Sequence, residues 1–176
     1  MRRLICLAAG LAVLSGCDRV ADRGGARPGP AFHHAATADI SGYYVPAGTV
    51  RIGDWSLDHV FIGQTSAFER WEDGPDGEAL APVMIRFAAV DATEPGEADS
   101  AAVRVLPDRY AVTDSAIRFE GRSPRLGRVV FDGRLDAGAL ATSRRNLGGD
   151  GAVLTGTLTA GGQTVPNVRL RWWMGD

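Results

Sequence analysis

From Ile40 to Trp173 the main pattern in this chain is an alternation of apolar and polar residues with a period of two. Successive side chains of a β-strand point to opposite faces, so this period predicts strands and not helices. The clearest stretches lie at 55–62, 83–87, 103–105, 117–119 and 153–160. Helical stretches are too few for βαβ units. The predicted fold class is therefore all-β, an antiparallel barrel or sandwich of about eight or nine strands with one or two short helices.

A local repeat marks one hairpin. The tetrapeptide FEGR at 119–122 recurs as FDGR at 131–134. In a strand, each copy turns its phenylalanine to one face and its carboxylate and arginine to the other, as expected for a sheet with one wet face. The intervening 123–127 segment, SPRLG, predicts the hairpin connection.

In the last hairpin, the turn and the apolar residues of the final strand predict different phases. The pair of glycines at 161–162 suits a two-residue turn, which would place Leu158 opposite Val165. The apolar set of the final strand, within 168–174, is one residue out of phase with Val165. A slip of one residue reverses every side chain of a strand, so we predict a β-bulge or break near 166–167, where a proline cannot donate to the ladder.

Two short helices are expected between the strands. Ser66 and Glu69 have the spacing of a capping box. Asp136 is placed to cap a second helix, with Leu140 facing inward. These helices are too short to change the fold class.

The N-terminus has the features of an export signal. Arg2 and Arg3 precede an apolar run at 4–14, which is followed by Ser15, Gly16 and Cys17. The run of about 11 residues is shorter than the roughly 20 that a membrane-spanning helix needs. We predict a signal peptide at 1–16.

The segment Leu14-Ser15-Gly16-Cys17 resembles the lipobox of bacterial lipoproteins. The resemblance implies that Cys17 is acylated and holds the protein to a membrane on the periplasmic side of the cell envelope. An aspartate after the anchor, here Asp18, is similar to the inner-membrane sorting signal of enteric lipoproteins, although the outer membrane stays open. Residues 17–38 are rich in Gly, Pro, Ala and Arg without a period, which predicts a flexible tether, and 39–176 form the all-β domain.

Composition excludes several kinds of chemistry. Cys6 leaves with the signal peptide, so the mature chain has neither a disulfide nor a cysteine metal cluster. The chain has no lysine, which excludes Schiff-base catalysis. Loss of Arg2 and Arg3 changes the formal charge from -2 to -4, which argues against nucleic acid as a partner.

A catalytic role for the residues of the domain is weakly indicated. His59 is the one histidine after position 38, and its neighbour Asp58 should point to the opposite face of the strand, away from its ring. Glu69 and Glu72, beside Trp71, could act as an acidic pair of a hydrolase. No catalytic residue, cofactor or metal ligand is predicted.

The wide aromatic rings of the domain indicate a binding role more clearly than its acidic residues and histidine indicate catalysis. Trp55, Trp71 and Trp172, together with His59, form a tentative binding set for an apolar ligand, while core filling is the alternative use of such rings. Trp173 shares a strand face with Arg169 and Arg171. It is expected to be covered by a helix, stacked on arginine, or exposed as part of a binding surface.

The last hairpin also resembles a known family. Its sequence LTGTLT at 154–159, followed by Gly162, Thr164 and Pro166, is similar to a hairpin of YceI-like proteins, as is the stretch at 136–147. The resemblance covers about 35 residues, lacks the family's longer segment between the two stretches, and does not extend to residues 40–115. It implies a lipocalin-like barrel that binds a polyisoprenoid lipid.

Three functions follow as hypotheses. The first is a lipid-anchored envelope module that binds an apolar small molecule or a partner protein, and it predicts a cavity ringed by tryptophans. The second is a structural or assembly factor, which predicts a solid core and an exposed apolar patch near Trp173. The third is a hydrolase, which needs His59 or an acidic pair in an open cleft.

Overall fold

The period-two segments form one curled mixed sheet. The computed structural model describes residues 31–73, 80–90, 101–146 and 151–175. Its strands are β1 (Phe32–His34), β2 (Gly42–Pro46), β3 (Arg51–Ile52), β4 (Trp55–Ile62), β5 (Val83–Ala89), β6 (Val103–Val105), β7 (Pro107–Val112), β8 (Ala116–Ser123), β9 (Gly127–Leu135), β10 (Leu154–Ala160) and β11 (Gln163–Trp173). Two helices accompany them, α1 (Thr65–Glu72) and α2 (Ala137–Arg145).

The strand order gives the sheet its shape. It runs β1-β7-β8-β9-β10-β11-β2-β4-β5-β6, with β3 paired to β4 beside this path. The β1–β7 pair is parallel, and the other pairs among the described residues are antiparallel. The sheet curls into a half-barrel. The all-β prediction is confirmed, with more strands than the eight or nine expected because β1 and β3 are too short to show a period.

One stretch of chain brings the two ends of the sheet together. β6 pairs with β5 at one end of the strand order, and β7, which starts two residues after β6 ends, pairs with β8 near the other. The carbonyl of Leu106, between β6 and β7, passes directly over Gly121 of β8. A side chain at position 121 would occupy the space of that carbonyl, so this glycine allows the close approach.

The interior of the half-barrel is filled by side chains. The largest buried ones are at most 2 % exposed and come from strands all round the sheet and from α1: Tyr44, Phe68, Phe87, Tyr110, Phe119 and Phe131. Phe119 and Phe131, the aromatic residues of the sequence repeat, lie opposite each other across β8 and β9. The repeat therefore supplies one layer of the core, as its alternation predicted.

The folded part begins earlier than the sequence indicated. β1 lies inside the 17–38 segment that was assigned to a flexible tether, and it pairs with β7 from Phe32 onward. The ring of His34 stacks on Phe68 with centroids 4.0 Å apart. The Asp114 carboxylate accepts hydrogen bonds of 2.8 Å from the backbone and hydroxyl of Thr37 and from the Ala38 N–H. These contacts hold residues 32–38 on the sheet.

Each of the two helices buries an apolar side chain in the core, Phe68 of α1 and Leu140 of α2. The capping box predicted from Ser66 and Glu69 is not formed, because α1 starts at Thr65 after Gln64, which makes no side-chain cap. Asp136 does cap α2, accepting a hydrogen bond of 2.9 Å from the Ala139 N–H. No helix in the described ranges is long and apolar enough to cross a bilayer.

The final hairpin has the predicted bulge. Leu158 lies opposite Val165, but Gly156 lies opposite Val168, so β11 has one more residue than β10 over this interval. The extra residue falls at Pro166 and Asn167, and Asn167 has a φ of 56°. The phase conflict in the sequence is thus resolved where the proline interrupts the ladder.

A second bulge lies in β4. Leu57 pairs with Phe87 and His59 pairs with Arg86, the residue directly before Phe87, so Asp58 is the extra residue. Leu57 and Val60 are buried while Asp58 and His59 both lie on the outer face. The expectation that Asp58 and His59 point to opposite faces was wrong, because it assumed an uninterrupted strand.

Candidate functional site

Four large apolar side chains form a row across the outer face of the sheet. Trp173 pairs with Tyr43, Tyr43 with Phe61, and Phe61 with Met84. The ring centroids of Tyr43 lie 5.7 Å from Trp173 and 5.2 Å from Phe61. Cross-strand neighbours of this kind pack against each other along the row. We call these four residues the apolar row.

The apolar row faces solvent. Trp173 is 43 % exposed and the adjoining Met174 is 61 % exposed, while the other three members are partly exposed. Large rings on the water side of a sheet are unusual in a protein with a filled core, and contiguous exposed apolar surface marks an interaction site. Of the three outcomes expected for Trp173, the structure shows the exposed one.

Arginines flank the apolar row. Arg169 and Arg171 stand on the same face of β11 as Trp173. On the far side, Arg86 of β5 pairs with Arg104 of β6. We call these four residues the arginine flank. Among the described residues, the Asp58 carboxylate lies beside Arg86 and accepts a hydrogen bond from it.

The bulge in β4 places a polar cluster beside the apolar row. Arg86 donates a hydrogen bond of 2.6 Å to the Asp58 carboxylate, and the Nδ1 of His59 lies 3.6 Å from the same carboxylate. His59 and Arg86 lower the pKa of Asp58 while burial raises it, with a net lowering. The Nε2 of His59 is buried without a hydrogen-bond partner, with the Tyr43 ring edge-on at 4.9 Å. This geometry packs His59 as a structural residue of the face.

Trp172 is held in a separate network at the end of the half-barrel. The guanidinium of Arg144 lies 5.1 Å from the centroid of its ring. The Ser41 carbonyl accepts hydrogen bonds from the Trp172 Nε1–H at 3.0 Å and from Arg144 at 2.8 Å. Arg144 also donates to Asp39 at 2.9 Å, which lowers the pKa of Asp39 to about 2. Trp172 therefore ties α2 to the sheet.

The predicted binding set is not brought together. Trp55 starts β4 and lies 5.4 Å from the guanidinium of Arg125, at the turn between β8 and β9. Trp71 of α1 packs edge-on against Phe32 with centroids 6.3 Å apart. Trp172 pairs with Tyr44, which pairs with Val60 near the opposite end of β4 from Trp55. The three tryptophans and His59 serve packing at different places and do not ring a cavity.

Ion pairs lie on the outer face of β7 to β9. Arg128 donates to Glu120 at 2.8 Å, and Arg118 lies 3.3 Å from Asp132. An open groove of about 360 Å³ runs over this face. These exposed ion pairs contribute little to stability, and the outward side chains of the face comprise five arginines and three carboxylates.

In the acidic pair considered for a hydrolase, Glu72 has a structural partner. It accepts a hydrogen bond of 2.8 Å from the Tyr110 hydroxyl. Burial, together with this hydrogen bond, raises the pKa of Tyr110. Within the described ranges no group of three or more His, Cys, Asp or Glu side chains is arranged to hold a metal ion. Cys17 and the signal peptide lie outside the described residues.

Sequence reasoning missed Phe61 and Met84 as surface residues. Both sit in strongly apolar segments, and the unbroken alternation placed Phe61 with Leu57 on one face. The signal that was available is the pair of polar residues Asp58 and His59 in an otherwise apolar strand, which suits a bulge.

The chain matches no protein-family model, no curated protein and no solved structure.

Proposed function

We propose that this chain is a lipid-anchored protein of the bacterial cell envelope, held through Cys17 on the periplasmic side, whose half-barrel is a structural or assembly factor acting through its outer surface. The anchor rests on the sequence: the charged start, the short apolar run and the lipobox-like segment ending at Cys17. Acyl chains contribute ~0.8 kcal/mol per buried methylene, so several chains on one residue give a stable attachment.

The observation that carries the functional part is a filled interior combined with an exposed apolar row. A carrier of an apolar small molecule, as the YceI-like resemblance implies, needs a cavity of about 300–1,000 Å³ lined by apolar side chains. In the described residues that space is occupied by buried rings such as Tyr44, Phe87 and Phe131. By contrast, no described part of the chain covers the outer surface of the apolar row.

Replacing Cys17 by serine tests the anchor. Acylation needs the thiol, so Cys17→Ser is expected to abolish incorporation of labelled palmitate and to move the protein from the membrane to the soluble fraction. Cys6→Ser is the matched control, because that cysteine lies in the signal peptide and should leave both readouts unchanged. Unchanged labelling and fractionation of Cys17→Ser would refute the anchor. Asp18→Ser, with fractionation of the two membranes, tests the preference for the inner membrane.

Native mass spectrometry tests the role of the interior. The Cys17→Ser protein, recovered without detergent, is expected to have the mass of the polypeptide alone. A stoichiometric apolar ligand on this protein would contradict the proposal and restore the carrier hypothesis.

A further inference from the structure

Two arginines and a threonine form a row of hydrogen-bond donors on the outer face of β9, β10 and β11. Arg134 of β9 pairs with Thr155 of β10, which pairs with Arg169 of β11. All three side chains are exposed. Cross-strand partners in antiparallel strands lie about 4.5–5.5 Å apart at Cα, so the two arginines stand roughly 10 Å apart with the shorter threonine between them. We call these three residues the donor row.

The donor row has no carboxylate partner in the described part of the chain. Neither Arg134 nor Arg169 forms an ion pair or a side-chain hydrogen bond with a described residue. The carboxylates two positions before and after Arg134 are engaged elsewhere, because Asp132 lies 3.3 Å from Arg118 and Asp136 caps α2. Two neighbouring cations repel each other, and an anion bound between them would remove this repulsion.

Open space lies on both sides of the donor row. On the β8 side, Arg134 pairs with the small residue Ala116 and lines a groove of about 310 Å³ together with Ser115. On the β2 side, Arg169 lines a groove of about 370 Å³ together with Gly48. The two grooves and the short threonine leave both guanidinium groups room to converge on one ligand.

The donor types indicate the chemistry of that ligand. A guanidinium carries five N–H donors and no acceptor, and a threonine hydroxyl can donate as well. Three donor groups from three strands match a ligand with three acceptor oxygens, which a phosphate monoester has on its phosphorus atom. A carboxylate has only two oxygens. Arginine also binds phosphate oxygens through two parallel N–H donors, so the donor row favours phosphate.

We propose that the donor row binds a phosphate monoester group. On β11, Arg169 precedes Trp173 of the apolar row by four residues, which is about 13 Å in a strand, so the two sites are separate. The phosphate site depends neither on the acylation of Cys17 nor on a partner at the apolar row. The group can belong to a soluble phosphomonoester or to a lipid headgroup, since both present the same terminal oxygens.

Titration with glycerol phosphate at constant ionic strength tests the site. The Cys17→Ser protein is used, because it has the full chain and needs no detergent. We expect saturable binding of one phosphate per chain, seen as line broadening in phosphorus NMR and as a rise in Tm. The Kd should be on the order of 1 mM, which corresponds to three hydrogen bonds with a charged group at the weak end of their range.

Paired variants locate the binding. Arg134→Gln with Arg169→Gln removes both guanidinium groups and should raise the Kd at least about tenfold, the loss expected for one charged hydrogen bond. Arg51→Gln with Arg70→Gln is the matched control, because it removes two exposed arginines from β3 and α1, and it should leave the Kd unchanged. Thr155→Val keeps the shape but removes the hydroxyl, and should raise the Kd by a smaller factor.

The two double variants separate the donor row from a general effect of charge. Absence of saturable binding, or an equal loss of affinity in both double variants, would refute the site.

Flotation with vesicles distinguishes the two sources of phosphate. Phosphatidic acid carries a phosphate monoester, whereas phosphatidylglycerol carries a diester. Flotation of the Cys17→Ser protein with phosphatidic acid alone, lost in Arg134→Gln with Arg169→Gln, would identify a lipid headgroup as the ligand. Binding of glycerol phosphate without flotation would identify a soluble phosphomonoester. Equal flotation with both lipids, unchanged in that double variant, would contradict recognition of a monoester by the donor row.

Discussion

The contact between Leu106 and Gly121 makes the closing of the half-barrel testable by one substitution. In Gly121→Ala the new methyl group would overlap the Leu106 carbonyl oxygen and would lie 3.0 Å from both the Val105 Cγ1 and the Phe119 Cζ. The first of these neighbours is backbone and cannot rotate away. Overpacking of a core typically costs about 1–3 kcal/mol, and the backbone clash places Gly121→Ala at the upper end, about 3 kcal/mol.

For a domain of this size, such a loss lowers the Tm by about 6–12 °C. Chemical denaturation with far-ultraviolet circular dichroism would measure the free energy of unfolding. Gly48→Ala is the control, because a methyl group there meets no atom within 4 Å, and its effect should stay within about 0.5 kcal/mol. If Gly121→Ala unfolded with the same free energy as Gly48→Ala, the Leu106 carbonyl would not lie against β8 at Gly121.

Three smaller predictions follow from single contacts. Tyr44→Phe removes a buried hydroxyl that donates to the Ile40 carbonyl at 2.6 Å, and should cost about 1–2 kcal/mol in urea unfolding; no change would mean that water replaces the bond. Asn167→Val puts a β-branched residue at a φ of 56° and should cost about 1 kcal/mol or more, whereas Asn167→Gly should be neutral or better. Because the pKa of Asp39 is lowered to about 2 by Arg144, its stabilisation is present above pH 4 and is lost as the pH falls toward 2; a Tm series in this window should flatten in Asp39→Asn.

Sequence could predict those parts of the fold where the local residue pattern allows only one strand register. The bulge in β11 followed from two apolar sets that cannot share one face, with Pro166 between them to mark the place. The β8–β9 hairpin followed from a repeat whose two phenylalanines had to meet. In both cases the alternation and the turn residues agreed, so one register satisfied every residue.

The missed parts depend on contacts with distant segments. β1 has three residues, too few for a period, and its place is fixed by Phe68, Tyr110 and Asp114, which are far away in sequence. The places of the residues in the tentative binding set also depend on distant contacts. Tryptophan content indicates that wide rings exist but not whether they share a cavity, and Trp55 and Trp172 turned out to lie near opposite ends of β4.

The bulge at Asp58 decides which rings of β4 face water, and it can be tested by removing one residue. Val60 and Ile62 are fully buried, while Phe61 is turned outward into the apolar row. Deleting Asp58 leaves Leu57, His59, Val60, Phe61 and Ile62 in strict alternation, so the shortened strand can keep the same buried residues and the same register with β5. We therefore expect the deletion to keep Phe61 in the apolar row, because a change of phase would expose Val60 and Ile62 at about 1.5–3 kcal/mol each.

Asp58→Ala is the control for this deletion, since it removes the ion pair with Arg86 but keeps the number of residues in β4. We expect both Asp58→Ala and the deletion to retain the apolar row, and their free energies of unfolding should agree to within about 1 kcal/mol. If the deletion were less stable than Asp58→Ala by the roughly 3–6 kcal/mol that exposing Val60 and Ile62 would cost, Asp58 would not be the extra residue of β4.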